Sequence, residues 1–293
     1  MGAIKAIMGD SYPEVAAPME WIDSADEMKE ADGLLPTSWE TAYPAYNFTG
    51  LAKRFYFIQD FEPFFYPAGS LYTLAENTYK FGFYGLTAGN WLSTKLRKDY
   101  GMPTDHYDFG SEASLYSYTN AKPRKEIMFY ARPYTERRGF EIGIMALGLF
   151  HNKHPEFVIN MVGYDISSYK IPFPYINLKT LELEQLNDLY NRCAAGLVMS
   201  FTNMSLLPLE LLASGTIPIV NDGENNVLVS DNKYIAYTAA DPDSIARALS
   251  EVVTRKDLPN YAKRASESLK AVSWDEAGKK FVSIIERETR KSE

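Results

Sequence analysis

The chain is predicted to be an α/β protein with two Rossmann-like domains, because strand-length apolar runs alternate with helical patterns along its 293 residues. Its clearest unit is a strand, a polar loop, a short helix and a second strand. Residues 196–200 and 217–220 are apolar runs of strand length, Ser205 and Pro208 mark a helix start, and Gly215 marks its end. A chain of this length also suits two modest cores. Parallel sheets with helices on both faces are therefore expected.

The first half of the chain repeats this alternation. The polar run TNAKPRK at residues 119–125, with its single Pro, predicts a linker. No glycine-rich turn follows an initial strand, so we expect a first domain that is shortened at its N-terminus. Predicted strands cover residues 34–36, 54–59, 86–88 and 107–109, and predicted helices cover residues 71–81 and 91–100.

The second half carries another series of strands and helices. Asp241 is predicted to cap a helix that has Pro242 at its first position. Ser273 and Glu276 form a predicted capping box for a last helix that runs to about Arg290. The predicted domains are residues 1–121 and 122–272, with residues 273–293 crossing back to the first domain. Predicted strands cover residues 126–131 and 157–162, and predicted helices cover residues 140–151 and 183–193.

Charge and composition exclude several classes of protein. The net charge of −8 argues against nucleic acid as a main partner, since nucleic acid needs a basic face. The single Cys193 excludes an intrachain disulfide framework, and its place in an apolar helical pattern predicts a core thiol. The sequence has no run of about 18 apolar residues, so no transmembrane helix is predicted. The first residues lack an export signal. Cytoplasmic residence is expected, with peripheral contact at the inner face of the membrane left open.

Aromatic side chains are concentrated in residues 39–91. The chain has 21 Tyr, 16 Phe and 4 Trp, and such rings serve either as core or as platforms for sugar rings. We expect most of them in the core and a few at a ligand. Trp39, Glu40 and Tyr43 follow a predicted strand and could line a cleft, although Glu40 also suits the first turn of a helix.

Glu210 is the strongest single candidate for a ligand contact. The predicted unit places it in the first turn of a helix at the carboxyl edge of a parallel sheet, where open α/β sheets bind ligands. A helix N-terminus there favours a phosphate, while the carboxylate can accept hydrogen bonds from ribose hydroxyls. The pattern predicts a nucleoside diphosphate site. The plainer interpretation is that Glu210 complements the helix dipole, and both can hold.

Two motifs resemble a known family. LPLELLASGTIPIVND at residues 207–222 resembles the nucleotide-binding segment of retaining GT-B glycosyltransferases of the family 4 type. YFIQDFEPFFYP at residues 56–67 resembles a segment of bacterial rhamnosyltransferases and rhamnan-synthesis enzymes of that fold. The resemblance runs from about Gly33 to Glu286. It departs from the general family pattern at Thr202, where that pattern has a second Glu that the rhamnosyltransferase branch often lacks.

The resemblance also implies donor-binding residues. It places a diphosphate-binding Arg at Arg132 and a second cation at Arg138, and guanidinium groups suit bidentate contact with phosphate. It further implies a nucleotide or phosphate contact at Lys179 and a weaker donor contact at Ser205. Glu210 completes the set. Their plainer interpretations are surface ion pairs or solvated side chains, but Arg132 directly follows a predicted strand.

Asp60 and Glu62 are the predicted catalytic residues. Both follow a buried strand and lie among aromatic side chains, an environment that shifts pKa values. Asp60 is expected to bind an acceptor hydroxyl or to act as its base. In a retaining front-face mechanism the leaving phosphate would take that proton instead. The plainer interpretation is a turn, since Asp and Pro63 are ordinary turn residues.

The resemblance implies a metal-independent, retaining glycosyltransferase. Its expected donor is dTDP-rhamnose, with UDP- and GDP-sugars left open, and its expected acceptor is a surface polysaccharide or a lipid-linked glycan. The three histidines are scattered along the chain, so no metal site is predicted, and no cofactor is expected. The alternative is a noncatalytic nucleotide- or carbohydrate-binding module, or an inactive fragment of such an enzyme. An NAD-dependent enzyme is disfavoured, because no G-x-G-x-x-G follows a predicted strand.

Overall fold

The first domain is built on a four-stranded parallel sheet. The computed structural model describes residues 18–270 and 272–290 of the chain, so the predictions about the first residues fall outside it. The strands pair in sequence order, β1-β2-β3-β4. The elements are β1 (Gly33–Leu34), α1 (Trp39–Asn47), β2 (Lys53–Ile58), α2 (Ser70–Asn77), β3 (Tyr84–Ala88), α3 (Asn90–Tyr100) and β4 (Thr104–Tyr107).

The second domain is built on a six-stranded parallel sheet in the order β10-β9-β8-β5-β6-β7. The chain therefore starts in the middle at β5, builds outward to β7, and then returns to the other side of β5 with β8. The elements are β5 (Glu126–Tyr130), α4 (Phe140–Lys153), β6 (Val158–Val162), β7 (Ile176–Lys179), α5 (Leu183–Arg192), β8 (Cys193–Val198), α6 (Leu207–Ala213), β9 (Ile217–Asn221), α7 (Glu224–Val227), β10 (Ala236–Thr238), α8 (Pro242–Val253), α9 (Leu258–Glu267) and α10 (Trp274–Arg290).

Two parallel sheets confirm the predicted fold class, while several element boundaries differ. The strand predicted at residues 107–109 lies at Thr104–Tyr107. β8 begins at Cys193, where the sequence predicts the last residue of a helix, because small buried residues pack in the centre of the sheet whatever their helix propensity. Cys193 is fully buried, as expected of a core thiol. Asp241 caps α8 as predicted, accepting a hydrogen bond from the Ser244 amide.

The aromatic residues of the first domain are mainly core, as predicted. Tyr56, Phe61, Tyr79 and Phe83 are each about 1% exposed or less and form one cluster with Trp91. Their rings pack edge-on or stacked at centroid distances near 5–6 Å, an arrangement that adds to the free energy of simple burial. Within residues 18–270 and 272–290, no helix is long and apolar enough to span a bilayer.

The last helix packs against the first domain. Ser273 accepts a hydrogen bond from the Glu276 amide at 3.3 Å, which is one half of the predicted capping box. Ile284 is buried against Phe55 and Leu86. Further along α10, Arg287 pairs with Asp105 of β4. The helix therefore ties the chain's end to the sheet where the chain began.

The chain passes between the domains near Gly110, earlier than the predicted junction at residues 121/122. Ser111 forms a parallel bridge with Ser273, so the two crossings run side by side. At Gly110 a Cβ atom would lie 2.5 Å from the Trp274 amide nitrogen, which requires glycine. The physical reason for the shift is that the predicted linker is bonded to the second domain through Asn191, which accepts from the Thr119 amide at 2.8 Å.

Arg124 fixes this linker to the second sheet. It is 7% exposed, and five hydrogen bonds from its two terminal nitrogens reach oxygen atoms of the linker and of the segments around β8 and β9. The acceptors are the carbonyls of Asn120, Tyr190, Cys193 and Ser214 and the hydroxyl of Thr216. Tyr190 and Ser214 stand at helix C-terminal ends, where a cation is favourable.

Replacing Arg124 with Met should lower the free energy of unfolding by about 2–4 kcal/mol, because buried carbonyls lose their donor. Urea denaturation followed by circular dichroism measures the change. The matched control is Arg247→Met on the exposed face of α8, for which a change within about 0.5 kcal/mol is expected. Equal losses in the two variants would contradict this role for Arg124.

Candidate functional site

The carboxyl edge of the second sheet contains a topological switch point between β5 and β8. The chain leaves β5 toward α4 through residues 131–139, and it leaves β8 toward α6 through residues 199–206, which we call the β8–α6 loop. These segments follow neighbouring strands whose connections run in opposite directions. Open α/β sheets bind ligands in the crevice that such a reversal opens.

A cavity of about 380 Å³ lies at this switch point, and we call it the switch-point cavity. It brings together four of the five predicted donor-binding residues, namely Arg132, Arg138, Ser205 and Glu210. Its polar groups thus come from both sides of the switch point. The rest of the wall is formed by aromatic and aliphatic side chains, Gly163 and Thr180; these side chains are Tyr116, Tyr130, Val162, Leu181, Leu183, Leu186, Tyr190, Leu206 and Leu207.

Two guanidinium groups give this cavity a positive side. Arg132 lies over the ring of Tyr130 at 5.4 Å, and Arg138 donates to the Ser200 hydroxyl at 2.9 Å. Among the residues that the structure describes, no carboxylate forms an ion pair with either one. Burial lowers the pKa of Arg138, with Asp60 opposing the shift, yet a guanidinium stays protonated in proteins. An anionic ligand would neutralise this charge.

Ser205 contributes a hydroxyl that lacks a partner. The sequence predicts it at the start of a helix, but α6 begins two residues later, with Leu206 at the cap position and Pro208 in the first turn. Ser205 is thus left in the loop, where its Oγ is buried without a hydrogen bond in the described structure. Because an unpaired buried hydroxyl costs free energy, this atom is a ready contact for a ligand in the cavity.

Glu210 lies in the first turn of α6, as predicted, and its carboxylate accepts a hydrogen bond from a tyrosine. The hydroxyl of Tyr190 donates to Glu210 Oε2 at 3.4 Å. Burial raises the pKa of Glu210, while hydrogen bonds from Tyr190 and Tyr116 lower it. The sequence did not predict a role for either tyrosine. Their hydroxyl contacts depend on the tertiary fold, so no local signal reveals them.

Lys179 is the predicted donor-binding residue that does not line the cavity. It ends β7 as expected, with a left-handed backbone (φ 55°). Its ammonium group pairs with Asp165 at 3.0 Å, while the following residues, Thr180 and Leu181, do line the cavity. The role of Lys179 as a donor contact stays a prediction, and reaching a ligand would require it to leave Asp165.

Asparagine side chains shape the β8–α6 loop. Asn221 at the end of β9 accepts from the Ser200 amide at 2.7 Å and donates to its carbonyl at 2.8 Å. From α7, Asn225 and Asn226 donate to that same carbonyl at 2.9 and 3.0 Å. A carbonyl with three donors is held firmly. The sequence run NDGENN was not predicted to have this function.

Asp60 joins the two domains across this loop. Its Oδ2 accepts from the Thr202 hydroxyl at 2.9 Å, and its Oδ1 accepts from the amide of Asn203 at 2.8 Å. Asn203 in turn donates to the carbonyls of Gln59 and Ala88, at 3.0 and 2.9 Å. We call these four bonds the interdomain clasp. These bonds give Asp60 a domain-joining role, while the catalytic role predicted for it stays a prediction.

Arg137 reinforces the interdomain clasp. Its guanidinium lies 4.0 Å from the ring centre of Phe65 in the first domain, and its Nε is 3.9 Å from Asp60 Oδ2. The distance between Arg137 and Asp60 is too long for a hydrogen bond, so Arg137 contacts the first domain by stacking on Phe65 and by a loose ion pair. Burial raises the pKa of Asp60, whereas the bonds from Asn203 and Thr202 and the charge of Arg138 oppose the rise.

Glu62 anchors the start of α1. Its Oε2 accepts from the Trp39 amide at 2.7 Å and from the Tyr56 hydroxyl at 2.9 Å. Trp39 Nε1 donates to the Tyr66 hydroxyl at 3.0 Å. Burial raises the pKa of Glu62 to about 7, against the effect of those two donors. The catalytic role predicted for Glu62 stays a prediction, while its bonds suit the packing of the first domain.

Other features of the described residues are weaker candidates for a functional site. A larger cavity of about 580 Å³ lies at the amino edge of the first sheet, beside Lys53 and Tyr84. Parallel sheets bind ligands at their carboxyl edge, so the switch-point cavity is the better candidate. Within residues 18–270 and 272–290, no group of three His, Cys, Asp or Glu side chains is arranged to hold a metal ion.

Comparison with family models matches both domains of the chain. The model of the N-terminal domain of WsaF matches residues 14–84, and the model of its C-terminal domain matches residues 125–250. The chain carries both WsaF domains. The interdomain clasp joins these two matched regions, and the guanidinium groups, Ser205 and Glu210 of the cavity all fall within the second.

One curated relative is similar to nearly the whole chain. The O-antigen biosynthesis protein RfbC of Myxococcus xanthus is 30% identical over 283 residues, which cover 94% of this chain. The chain spans about a fifth of the length of RfbC, 21%. The match therefore covers nearly all of this chain and a small part of the relative.

Solved structures share the fold. S. aureus TarM in complex with fondaparinux, α-GlcNAc-glycerol and UDP matches with a TM-score of 0.70 at 11% identity, over 87% of this chain and 56% of TarM. Anabaena HepE in complex with UDP and glucose matches with a TM-score of 0.65 at 11% identity, over 86% of this chain and 77% of HepE. These likenesses confirm the GT-B arrangement of two Rossmann-like domains.

Glu62 should give the folded protein a measurable pH dependence. Its folded-state pKa of about 7 lies above its ordinary value of 4.5, so the folded state holds a proton that the unfolded state releases. The stability that this proton gives is present below pH 4.5 and is lost as the pH rises through 7. Relative to Glu62→Gln, the wild-type chain should lose about 2 kcal/mol between pH 5.5 and 8.

Urea denaturation at several pH values measures this difference. The control is Glu251→Gln, an exposed residue of α8, whose stability should follow that of the wild type at every pH. Parallel curves for wild type and Glu62→Gln would contradict the raised pKa.

Proposed function

We propose that this protein is a glycosyltransferase of polysaccharide biosynthesis that binds a nucleoside-diphosphate sugar in the switch-point cavity. The observation that carries the proposal is the meeting of Arg132, Arg138, Ser205 and Glu210 in one cavity. The WsaF domains and the O-antigen relative support the polysaccharide pathway. The UDP named for TarM and HepE supports a nucleotide-linked donor.

The charges of the cavity suit the two ends of such a donor. The guanidinium groups of Arg132 and Arg138 would contact the diphosphate, which carries the negative charge, and the buried Ser205 hydroxyl would give it a further hydrogen bond. Glu210 lies on the α6 side of the same cavity and would accept a hydrogen bond from the pentose. The apolar wall around Leu181 would cover the base, since ligand cavities combine apolar walls with a few polar contacts.

Glycosyl transfer at this site would be a substitution at the anomeric carbon. The bond from that carbon to the diphosphate oxygen breaks, and a bond from an acceptor hydroxyl oxygen to the same carbon forms on the same face. The leaving phosphate takes the acceptor's proton, so no protein base is needed and configuration is retained. Arg132 and Arg138 would stabilise the charge that gathers on the departing diphosphate, and we propose that no metal ion takes part.

The proposed donor and acceptor rest on the resemblance of residues 56–67 to a segment of rhamnosyltransferases. We propose dTDP-rhamnose as the donor and a surface polysaccharide or its lipid-linked precursor as the acceptor. The acceptor would approach from the first domain, where Phe64 and Phe65 are 45% and 37% exposed beside the interdomain clasp. Exposed aromatic rings are suitable platforms for sugar rings. A lipid-linked acceptor would bring the protein to the inner face of the membrane.

Calorimetric titration of the chain with dTDP, UDP and GDP tests the donor site. One nucleotide should bind, and Glu210→Ala should weaken it at least tenfold, because a hydrogen bond to a charged group is worth about 1.5–3 kcal/mol. The matched control is Glu184→Ala, an exposed first-turn Glu of α5, which should leave affinity unchanged.

Each outcome decides between enzyme and binding module. Binding together with turnover of the corresponding nucleotide sugar, measured as released nucleoside diphosphate, supports a glycosyltransferase. Binding without turnover in the presence of acceptor would leave a noncatalytic module. No binding of any of the three nucleotides would contradict the donor site itself.

A further inference from the structure

Two tyrosines from different parts of the chain lie beside Glu210. Tyr190, at the end of α5, donates to Glu210 Oε2 at 3.4 Å, and Tyr116, in the segment that joins the two domains, lines the same cavity as Glu210 and lowers the pKa of its carboxyl. Their rings are stacked, with centroids 5.7 Å apart and planes 29° apart. Tyr116 is 5% exposed and Tyr190 2% exposed. Two stacked tyrosine rings therefore lie in the wall of the switch-point cavity together with Glu210.

The backbone under both tyrosines is fixed by hydrogen bonds. The Ser117 amide, next to Tyr116, donates to Asn187 Oδ1 at 3.1 Å. Asn191, next to Tyr190, donates to the Ser117 carbonyl at 2.8 Å. The Tyr190 carbonyl is further held by Arg124 at 3.3 Å. Because neighbouring residues are clamped to each other, the two rings have a fixed relative position.

We propose that Tyr116 and Tyr190 are positioning residues that orient the Glu210 carboxylate toward a pentose hydroxyl of the bound nucleotide. This inference rests on the donor site proposed above. A glutamate side chain has several rotatable bonds, and ordering it on binding costs conformational entropy. Hydrogen bonds that hold the carboxylate before the ligand arrives remove part of that cost. Each carboxylate oxygen has two lone pairs, so a bond from Tyr190 leaves acceptor capacity for the ligand.

The charges around Glu210 agree with this role. Burial raises the pKa of Glu210, and the two phenol donors oppose that rise. The other charged groups that line the cavity are Arg132 and Arg138, which belong to its diphosphate side. The tyrosines thus help to keep Glu210 ionised, and an ionised carboxylate is the stronger acceptor for a sugar hydroxyl.

Through Tyr116, the segment that joins the two domains also lines the proposed donor site. This segment leaves the first domain near Gly110, where it runs beside Ser273, and reaches the cavity wall six residues later. The tyrosine pair therefore connects the wall of the cavity to the segment that leads to the first domain.

Titration of Tyr116→Phe and Tyr190→Phe with dTDP, UDP and GDP tests the proposal. Each change removes one hydroxyl and keeps the ring. Affinity for whichever nucleotide binds the wild type should fall about threefold to tenfold in each variant. In a Glu210→Ala background the same changes should alter affinity by less than about twofold, because the tyrosines act through Glu210.

The pH profile separates positioning from general loosening of the fold. Without a phenol donor the pKa of Glu210 rises, so binding to Tyr190→Phe should fall away at a higher pH than binding to the wild type as the pH is lowered from 8 to 5. Loosening of the fold would lower affinity by the same factor at every pH. The matched control is Tyr237→Phe, which removes a hydroxyl that donates to the Ser230 carbonyl, outside the cavity; it should leave affinity unchanged.

The outcomes distinguish this proposal from the function on which it rests. If the wild type binds none of dTDP, UDP and GDP, the proposed donor site fails and the positioning role fails with it. If wild type binds and both tyrosine variants bind equally well, the positioning role alone is overturned. It is also overturned if the variants lose as much affinity in the Glu210→Ala background as in the wild type.

Discussion

The interdomain clasp is the contact on which the rest of the structure depends. Asp60 at the carboxyl edge of the first sheet accepts from Thr202 and Asn203 at the carboxyl edge of the second. Asn203 returns two bonds to first-domain carbonyls. These contacts make the ligand-binding edges of the two sheets face each other. A donor bound at one edge and an acceptor bound at the other would then meet in the cleft between them.

The β8–α6 loop serves the clasp and the cavity at once. Its start, around Ser200, is held by the asparagines of β9 and α7 and contacts Arg138. Its middle, at Thr202 and Asn203, carries the clasp. Its end, at Ser205, faces the cavity with an unpaired hydroxyl. One short segment therefore contacts Arg138, carries the interdomain clasp and lines the cavity. A shift in the domain arrangement would displace this segment and so change the donor site directly.

The sequence predicts the fold well because its signals are local. Apolar runs, Gly215 at a helix end and Asp241 at a helix cap depend on residues a few positions apart. The carboxyl-edge rule then places Glu210 and Arg132 at the ligand-binding edge of the sheet, while Arg138 is predicted from the family resemblance. The same reasoning could not supply the partners of Asp60, since Thr202 and Asn203 lie 142 and 143 residues away. It also could not foresee that Lys179 pairs with Asp165, because an exposed lysine gives no local sign of its partner.

A structure of the chain with dTDP or UDP bound is the most direct test of a nucleotide site at the switch point. The account predicts diphosphate oxygens within hydrogen-bond distance of Arg132 and Arg138, with a pentose hydroxyl on Glu210. A nucleotide bound at the amino edge of the first sheet, or a diphosphate that touches neither arginine, would contradict it.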